Sequence, residues 1–130
     1  MSDRFKFRTW DNRFKKYRNG LAVYNNTICT YDDNDCILEQ CTGLKDKNGK
    51  LIYEGDILDF YLSNPKNGGH YKGIVVWYPL NSLIGWMIED LGRNGAWDIR
   101  DTAHPNDWMI WGEVIGNIHE NADLLENKDE

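Results

Sequence analysis

The sequence predicts a single, mainly antiparallel β domain, and three observations predict it. Asn-Gly pairs punctuate the chain, and these two residue types best tolerate the positive φ that tight hairpin turns require. Six Trp and seven Tyr residues supply side chains that favour strands. Short segments also alternate apolar with polar residues, the period of a half-buried strand. The four Asn-Gly pairs are Asn19-Gly20, Asn48-Gly49, Asn67-Gly68 and Asn94-Gly95.

The length of 130 residues suits one domain with its own hydrophobic core. We predict a β-rich α+β domain over residues 1–126 and a frayed acidic tail at 127–130. Within the domain, we expect an N-terminal hairpin region at about 1–39, a small SH3-like or similar antiparallel barrel at about 40–118, and a short C-terminal helix at about 121–126.

The N-terminal hairpin region begins with an alternating segment. Residues 5–9 (FKFRT) alternate apolar and polar side chains, which predicts a strand, and Asp11-Asn12 follows as a turn. Residues 21–24 are expected to pair nearby. The acidic stretch 31–35 reads as an exposed loop, after which residues 36–44 return to the sheet.

The predicted barrel begins with a turn and a kinked strand. Asn48 and Gly49 are expected to form a tight turn. Gly55 then allows a bulge or kink, and the Asp56 carboxylate is placed to accept backbone N–H groups. Residues 57–62, 70–78 and 83–90 are expected to be strands, with Trp77, Trp86, Trp108 and Trp111 of this half of the chain in the core.

The last third of the chain is only weakly periodic at its start. We predict a long loop at residues 91–107, with room for one helical turn, and a bent strand or strand pair at 108–118. Gly116 allows curvature or close backbone approach in that strand. Asn121 is expected to cap the final helix.

Charge is unevenly spread along the chain. Seven basic and two acidic side chains give residues 1–20 a charge of +5, which leaves −11 on the remainder of a chain whose net charge is −6. A negative net charge disfavours a nucleic-acid partner, although the two regions attract one another or a second copy.

Candidate binding residues lie mainly in the basic start. Arg4, Lys6 and Arg8 alternate with aromatics, a pattern that places a cationic row on one strand face for a macromolecular partner or for phosphates. The alternative is that the aromatics point inward and the cations stay solvated. Trp97, beside Gly95 and Asp98, is a candidate for an exposed contact, with burial under the loop as the alternative.

No catalytic, metal or cofactor motif emerges, so we expect no enzyme, no metal and no cofactor. Residues 43–50 (GLKDKNGK) have the wrong spacing for a phosphate loop, and Asp46 puts a negative charge inside it. The cysteines and histidines lack the close ligand pair of a structural zinc site. Glu54 and Asp56 flank a glycine in a turn that reads as architectural rather than as a catalytic acid pair.

Compartment is inferred from the cysteines and the hydropathy. Three cysteines, Cys29, Cys36 and Cys41, accompany no apolar leader and no segment of membrane-spanning length. This combination favours reduced thiols in a cytoplasm over a disulfide framework.

Three blocks of the chain resemble a known family. They are residues 40–58 (QCTGLKDKNGKLIYEGDIL), 6–11 (KFRTWD) and 113–125 (EVIGNIHENADLL). In order and spacing, they are similar to the YopX-like family of bacteriophage and prophage proteins, although Ala122 stands where relatives often have Pro. The resemblance implies a β-rich, barrel-containing fold and brings no established activity, cofactor or catalytic residues.

The sequence therefore predicts a non-enzymatic interaction module of phage or prophage origin that binds a host or phage macromolecule, most simply a protein. One alternative is a self-assembling homo-oligomer, in which the cationic start of one chain meets the acidic body of another. A second alternative is a nucleic-acid-binding accessory protein that uses the basic N-terminal strand. The architectural residues predicted are Asn48, Gly49, Gly55, Asp56, Gly116 and Asn121.

Overall fold

The computed structural model describes residues 6–20, 23–24, 27–28, 36–61, 70–80, 83–91, 95–102 and 109–125. Within these ranges, the chain forms strands almost throughout, with short 3-10 turns at Ile99–Thr102 and Ala122–Leu125. The strands in chain order are β1 (Phe7–Asp11), β2 (Lys16–Asn19), β3 (Val23–Tyr24), β4 (Thr27–Ile28), β5 (Cys36–Lys45), β6 (Leu51–Tyr53), β7 (Asp56–Tyr61), β8 (His70–Leu80), β9 (Leu83–Asp90), β10 (Ala96–Asp98) and β11 (Gly112–Asn117).

The strands form two main antiparallel sheets. The first has the order β2-β1-β5-β6, and the second has the order β10-β9-β8-β7-β11 and curls into a half-barrel. Strands β3 and β4 pair only with each other. The predicted mainly antiparallel β class is confirmed. The boundary predicted near residue 40 falls inside β5, which pairs with β1, so the N-terminal hairpin is continuous with the sheet that follows it.

The turn predicted at Asp11-Asn12 lies between β1 and β2, where residues 12–15 form it with a positive φ of 55° at Lys15. The hairpin predicted at Asn19-Gly20 is not formed, since β2 pairs with β1 and β3 pairs with β4. Residues 91–107, predicted as a loop with one helical turn, contain strand β10 and the 3-10 turn Ile99–Thr102. The Asn67-Gly68 pair lies outside the described residues.

The C-terminal helix is a single 3-10 turn, Ala122–Leu125, and residue 126 lies outside the described ranges. Asn121 precedes it as predicted, but its side-chain oxygen accepts a hydrogen bond from Asn117 N at 3.1 Å, back toward β11. Asn121 therefore closes the chain reversal after β11, and the turn itself is closed by Leu124 N donating to Asn121 O.

The core lies between the two sheets. Leu58 and Phe60 point inward from β7, alternating with the more exposed Asp59 and Tyr61, which is the period of a strand with one buried face. The core cluster consists of Ile52, Leu58, Phe60, Val75, Ile88, Ile99 and Ile110. Of the tryptophans predicted to be buried, Trp77 is 45% exposed, so that prediction is wrong for Trp77, while Trp108 lies outside the described residues.

A buried ion cluster joins the two sheets. Arg8 on β1 donates from Nε to Glu39 Oε1 on β5 and from a terminal nitrogen to Asp56 Oδ1 at the start of β7, each at 2.8 Å. The side chains of Glu39 and Asp56 are only 2% and 1% exposed. Arg8 also donates to the carbonyl oxygen of Glu54 at 3.2 Å. One guanidinium therefore spans both sheets and the segment between them.

Aromatic and polar neighbours complete this cluster. The Arg8 guanidinium carbon lies 4.2 Å from the ring centre of Tyr17 and 4.7 Å from that of Tyr53. Tyr17 donates its hydroxyl to Glu39 at 3.0 Å. The His119 ring stacks on Trp10, and its Nε2 lies 3.0 Å from the second Glu39 oxygen. Each oxygen of the buried Glu39 carboxylate therefore has a partner, as burial of a charge requires.

Burial and charge shift the pKa values in the cluster. Burial lowers the pKa of Arg8, but Asp56 and Glu39 outweigh it, so the net pKa lies above its ordinary value. Burial raises the pKa of Asp56, although the nearby guanidinium opposes that shift. Burial and the Glu39 carboxylate raise the pKa of Tyr17. Tyr17 therefore stays protonated across the neutral range and donates a hydrogen bond to Glu39.

Gly55 is the point at which the chain crosses from the first sheet to the second. Its N–H donates to Val75 O on β8, and its carbonyl accepts from Ile118 N just after β11. Its φ is +88°, and a Cβ built on it would lie 2.7 Å from Glu39 Oε2. Only glycine satisfies both the left-handed backbone and the lack of space.

A second junction is made by Asp46, in the turn between β5 and β6. Its carboxylate accepts from Asn48 N and Lys50 N within the turn and from Val114 N on β11, all at 2.9 Å. Lys47 N donates to Gly112 O at 2.7 Å. The turn of the first sheet is thereby fixed against the edge strand of the second.

The expectation of reduced thiols is wrong for Cys36, which is disulfide-bonded. Cys41 is buried and keeps a reduced thiol, and Cys29 lies outside the described residues. Across the described ranges, no helix is both long and apolar enough to cross a bilayer.

Replacing Gly55 by alanine tests the crossover. We expect Gly55→Ala to lower the free energy of unfolding by about 3 kcal/mol, because left-handed strain of about 1–2 kcal/mol adds to the clash with the Glu39 carboxylate. Gly49→Ala is the matched control, with a φ of +84° and nothing within 4 Å of the added Cβ. It should lose only the strain, as measured by urea denaturation of both variants, and equal losses would contradict the role given to Glu39.

Candidate functional site

The predicted cationic row on β1 is not an exposed face. Lys6 is exposed, but the Arg8 side chain is 13% exposed and is paired with two buried carboxylates. Arg4 lies outside the described residues. Strand alternation predicts a solvated Arg8, and the structure differs because two sheets meet at this strand and buried Glu39 and Asp56 require a cation.

Trp97 lies in β10 and is half-buried against the core, with its ring centre 5.2 Å from that of Tyr71. Its indole N–H is buried and, among the described residues, has no hydrogen-bond partner. The structure therefore does not place Trp97 in the exposed position that was predicted for it. Its apolar ring packs inward, as in the alternative of burial.

The residues predicted as architectural all lie at chain reversals or junctions. Asn48 and Gly49 occupy the β5–β6 turn, in which Gly49 N donates to Asp46 O at 2.9 Å. Gly116 follows a register shift in β11, and a Cβ there would lie 2.6 Å from the Asn121 side chain. Gly55 and Asp56 form the crossover described above.

One exposed basic segment is the turn between β1 and β2. We call this turn together with Lys16, thus residues 12–16, the basic tip. Phe14 at its centre is 62% exposed, although it is a large apolar side chain. The guanidinium carbons of Arg13 and Arg18 lie 5.8 and 5.7 Å from the Phe14 ring centre, within the distance of a cation–π contact. Lys15 and Lys16 are also exposed.

Asp11 holds the basic tip in shape. Its buried carboxylate accepts from Arg13 N at 3.0 Å and from Phe14 N at 3.3 Å through one oxygen, and from Arg18 Nε at 2.9 Å through the other. These are the backbone contacts of an Asx turn, reinforced by an ion pair. The exposed aromatic and its cations are thus displayed on a defined turn.

A cleft of about 430 Å³ opens beside β7, β8 and β11. Its walls are formed by Lys47, Asp59, Tyr61, His70, Trp111, Gly112 and Glu113. Here β11 lies very close to β7: a Cβ added at Gly112 would be 2.4 Å from Asp59 O. Glycine at residue 112 therefore permits the pairing that brings the walls together.

Two side-chain pairs, one of them a Lys–Glu ion pair, line the cleft. Lys47 Nζ lies 3.1 Å from Glu113 Oε1, and a side-chain hydrogen bond from this pair raises the pKa of Lys47. His70 Nε2 pairs with Asp59 Oδ1, and the His70 ring stacks on Tyr61 at 4.7 Å between ring centres. All four charged or polar side chains are partly exposed. Among the described residues, no group of three or more His, Cys, Asp or Glu side chains is placed to hold a metal ion.

Sequence reasoning missed both surfaces for different reasons. Phe14 carried a local signal, an aromatic within a run of cations directly after the Asp11-Asn12 turn. The cleft carried none, because Lys47, His70 and Glu113 are far apart in the sequence and meet only through strand pairing. Asp46 was considered only as a charge within a glycine-rich segment, although Asp followed by Asn-Gly is an Asx-turn signal.

The fold and these surfaces define a small β-rich protein in which two joined sheets display a basic turn and a polar cleft. The chain belongs to the YopX family, since the family model described as YopX protein matches residues 22–126. Arg8 precedes that stretch, whereas its partners Glu39 and Asp56 lie within it.

Two solved structures are similar to this chain in fold. Protein EF1440 from Enterococcus faecalis has 24% sequence identity and a TM-score of 0.58, with 93% of this chain and 97% of that one covered. Protein yopX from Bacillus subtilis has 14% identity and a TM-score of 0.50, with coverages of 99% and 100%. No curated protein matches the chain.

Removing the Asp11 carboxylate tests the support of the basic tip. We expect Asp11→Ala to cost about 2–3 kcal/mol, because hydrogen bonds to a charged acceptor are lost at a buried position. Amide exchange at Arg13 and Phe14 should accelerate. Asn12→Ala, which removes only an exposed contact with Lys15 Nζ, is the control and should change neither quantity much. Unchanged exchange in Asp11→Ala would show that the turn does not depend on this carboxylate.

Proposed function

We propose that this chain is a non-enzymatic interaction module that uses the basic tip to bind an acidic surface of a partner protein. The observation that carries the proposal is Phe14, which is 62% exposed in a structured turn with the guanidinium carbons of Arg13 and Arg18 at 5.8 and 5.7 Å from its ring centre. Aromatic residues and arginine are enriched in protein interfaces and among their energetic centres.

The composition of the basic tip supports an acidic partner. Arg13 and Arg18 lie against the Phe14 ring, and Lys15 and Lys16 are exposed beside it in the sequence, so a partner surface with carboxylates around an apolar depression complements both charge and shape. Arg8, which pairs with Asn19 at the end of the hairpin away from the turn, is held in the ion cluster. The tip is consequently presented by a rigid base, which lowers the entropy lost on binding.

A phage or prophage origin and a cytoplasmic location in a bacterial host belong to the same proposal. The origin follows from the YopX family resemblance, and the similar solved proteins come from Enterococcus faecalis and Bacillus subtilis, whereas the location follows from the cysteines and the hydropathy. One observation weighs against the location: disulfides such as that of Cys36 are rare in a reducing cytosol. The number of reduced thiols in protein that is alkylated rapidly during isolation tests the cytoplasmic location. Alkylation of all cysteines would support it.

Binding to defined acidic probes tests the proposed function. Fluorescence anisotropy at low salt compares a short peptide of glutamates and aromatic residues with a single-stranded oligodeoxynucleotide of equal net charge. We expect the peptide to bind more tightly. Stronger binding of the oligodeoxynucleotide would favour the nucleic-acid alternative, in which Phe14 stacks on bases, and binding of neither probe would reject the basic tip as a contact surface.

Variants locate the binding surface. Lys15→Gln with Lys16→Gln should weaken peptide binding by about 3- to 30-fold, because two exposed charge pairs are lost, and Phe14→Ala should weaken it by about 10-fold. Lys45→Gln with Lys50→Gln is the matched control, because it removes two exposed lysines from the hairpin formed by β5 and β6. An equal effect of the two lysine doubles would mean that only net charge matters.

Self-assembly is the second candidate, and the charge distribution favours it, because the remainder of the chain offers −11 to the basic tip of another copy. Sedimentation velocity across a salt series separates it from binding to a different protein. A discrete oligomer that dissociates with salt and is lost in Lys15→Gln with Lys16→Gln would support assembly. A monomer at every concentration and salt would reject it.

A further inference from the structure

The cleft beside β7 and β11 holds two carboxylates directly opposite each other. Glu113 and Asp59 are register partners on antiparallel strands, and like charges at such positions are destabilising. Lys72 is the register partner of Asp59 on its other side. The pair persists because each carboxylate has a hydrogen-bonding partner, the Lys47 ammonium for Glu113 and the His70 ring for Asp59. Positively charged groups beside Glu113 and Asp59 therefore stabilise this part of the surface.

The side chains that now pair with the carboxylates are weakly held. Those of Lys47 and His70 are 58% and 51% exposed, and pairs this exposed contribute little to stability. A cation supplied from outside therefore competes with Lys47 at little cost. Phosphate and carboxylate ligands are disfavoured, since Glu113 and Asp59 repel them.

The cleft walls select among cationic groups. Tyr61 and Trp111 place aromatic surface beside the two carboxylates. A guanidinium is planar, pairs with carboxylates through two parallel hydrogen bonds and stacks on aromatic rings. An ammonium pairs with carboxylates only as a point charge. The volume of about 430 Å³ is within the range of sites for small groups.

We propose that this cleft binds an arginine side chain of a partner polypeptide, whose guanidinium pairs with Glu113 and Asp59 beside Trp111 and displaces Lys47 from Glu113. The site differs from the basic tip in charge and in ligand. Lys47 is a built-in competitor, which the Asp46 turn holds in place through the bond from Lys47 N to Gly112 O. Arginine binding therefore frees the Lys47 side chain.

An NMR titration of the full ¹⁵N-labelled chain tests this site. The probe is N-acetyl-arginine amide, and the matched probe is N-acetyl-citrulline amide, which has the same shape without charge. We expect the arginine compound to shift the backbone resonances around Glu113 and the Trp111 indole resonance, and the citrulline compound to leave them unchanged. Equal shifts with both compounds, or shifts elsewhere only, would overturn the proposal.

Three variants sharpen the test. Glu113→Gln should weaken arginine binding by about five-fold or more, whereas Asp123→Asn, which neutralises an exposed carboxylate on the Ala122–Leu125 turn, should leave it unchanged. Lys47→Met should strengthen binding by about two- to five-fold, because the internal competitor is removed. Weaker binding in Lys47→Met, or equal effects of Glu113→Gln and Asp123→Asn, would contradict the proposed geometry.

Discussion

The ion pairs of Arg8 are the interaction on which the rest of the structure depends. Arg8 lies on a strand of the first sheet, one of its partners, Glu39, lies on the neighbouring strand, and the other, Asp56, begins the second sheet. Burying one cation with two carboxylates is expensive, and such clusters persist only when each charge is paired and hydrogen-bonded. Because each buried charge must stay paired, the cluster fixes the relative position of the two sheets, which apolar contacts alone define less uniquely.

Each of the two proposed binding surfaces is positioned by one of the two junctions between the sheets. The basic tip extends from β1, whose central residues include Arg8, so the ion cluster anchors the base of the hairpin while Asp11 shapes its end. The cleft depends on the other junction, in which Asp46 accepts from Val114 N and Lys47 N donates to Gly112 O. Carboxylates thus serve as the organising groups at both junctions, and the surfaces themselves are built from exposed cations and aromatic rings.

The sequence predicted what depends on local chemistry. Alternation and Asn-Gly turns are properties of neighbouring residues, so the antiparallel β class, the turn at Asn48-Gly49 and the glycine at residue 55 were accessible. Arg8 was misplaced because alternation assigns a side chain to one face without saying whether a second sheet covers that face. The cleft could not be predicted, since the pairing of Glu113 with Asp59 is set by strand register across more than fifty residues of chain.

The most direct measurement is the free energy of unfolding of Arg8→Met, alone and combined with Asp56→Asn. The account predicts a loss of about 3–5 kcal/mol for Arg8→Met, because two buried carboxylates lose their cation, and a partial recovery when Asp56→Asn removes one of those charges. A stability of Arg8→Met within about 0.5 kcal/mol of the wild type, with no recovery in the double variant, would contradict the claim that this ion cluster joins the sheets.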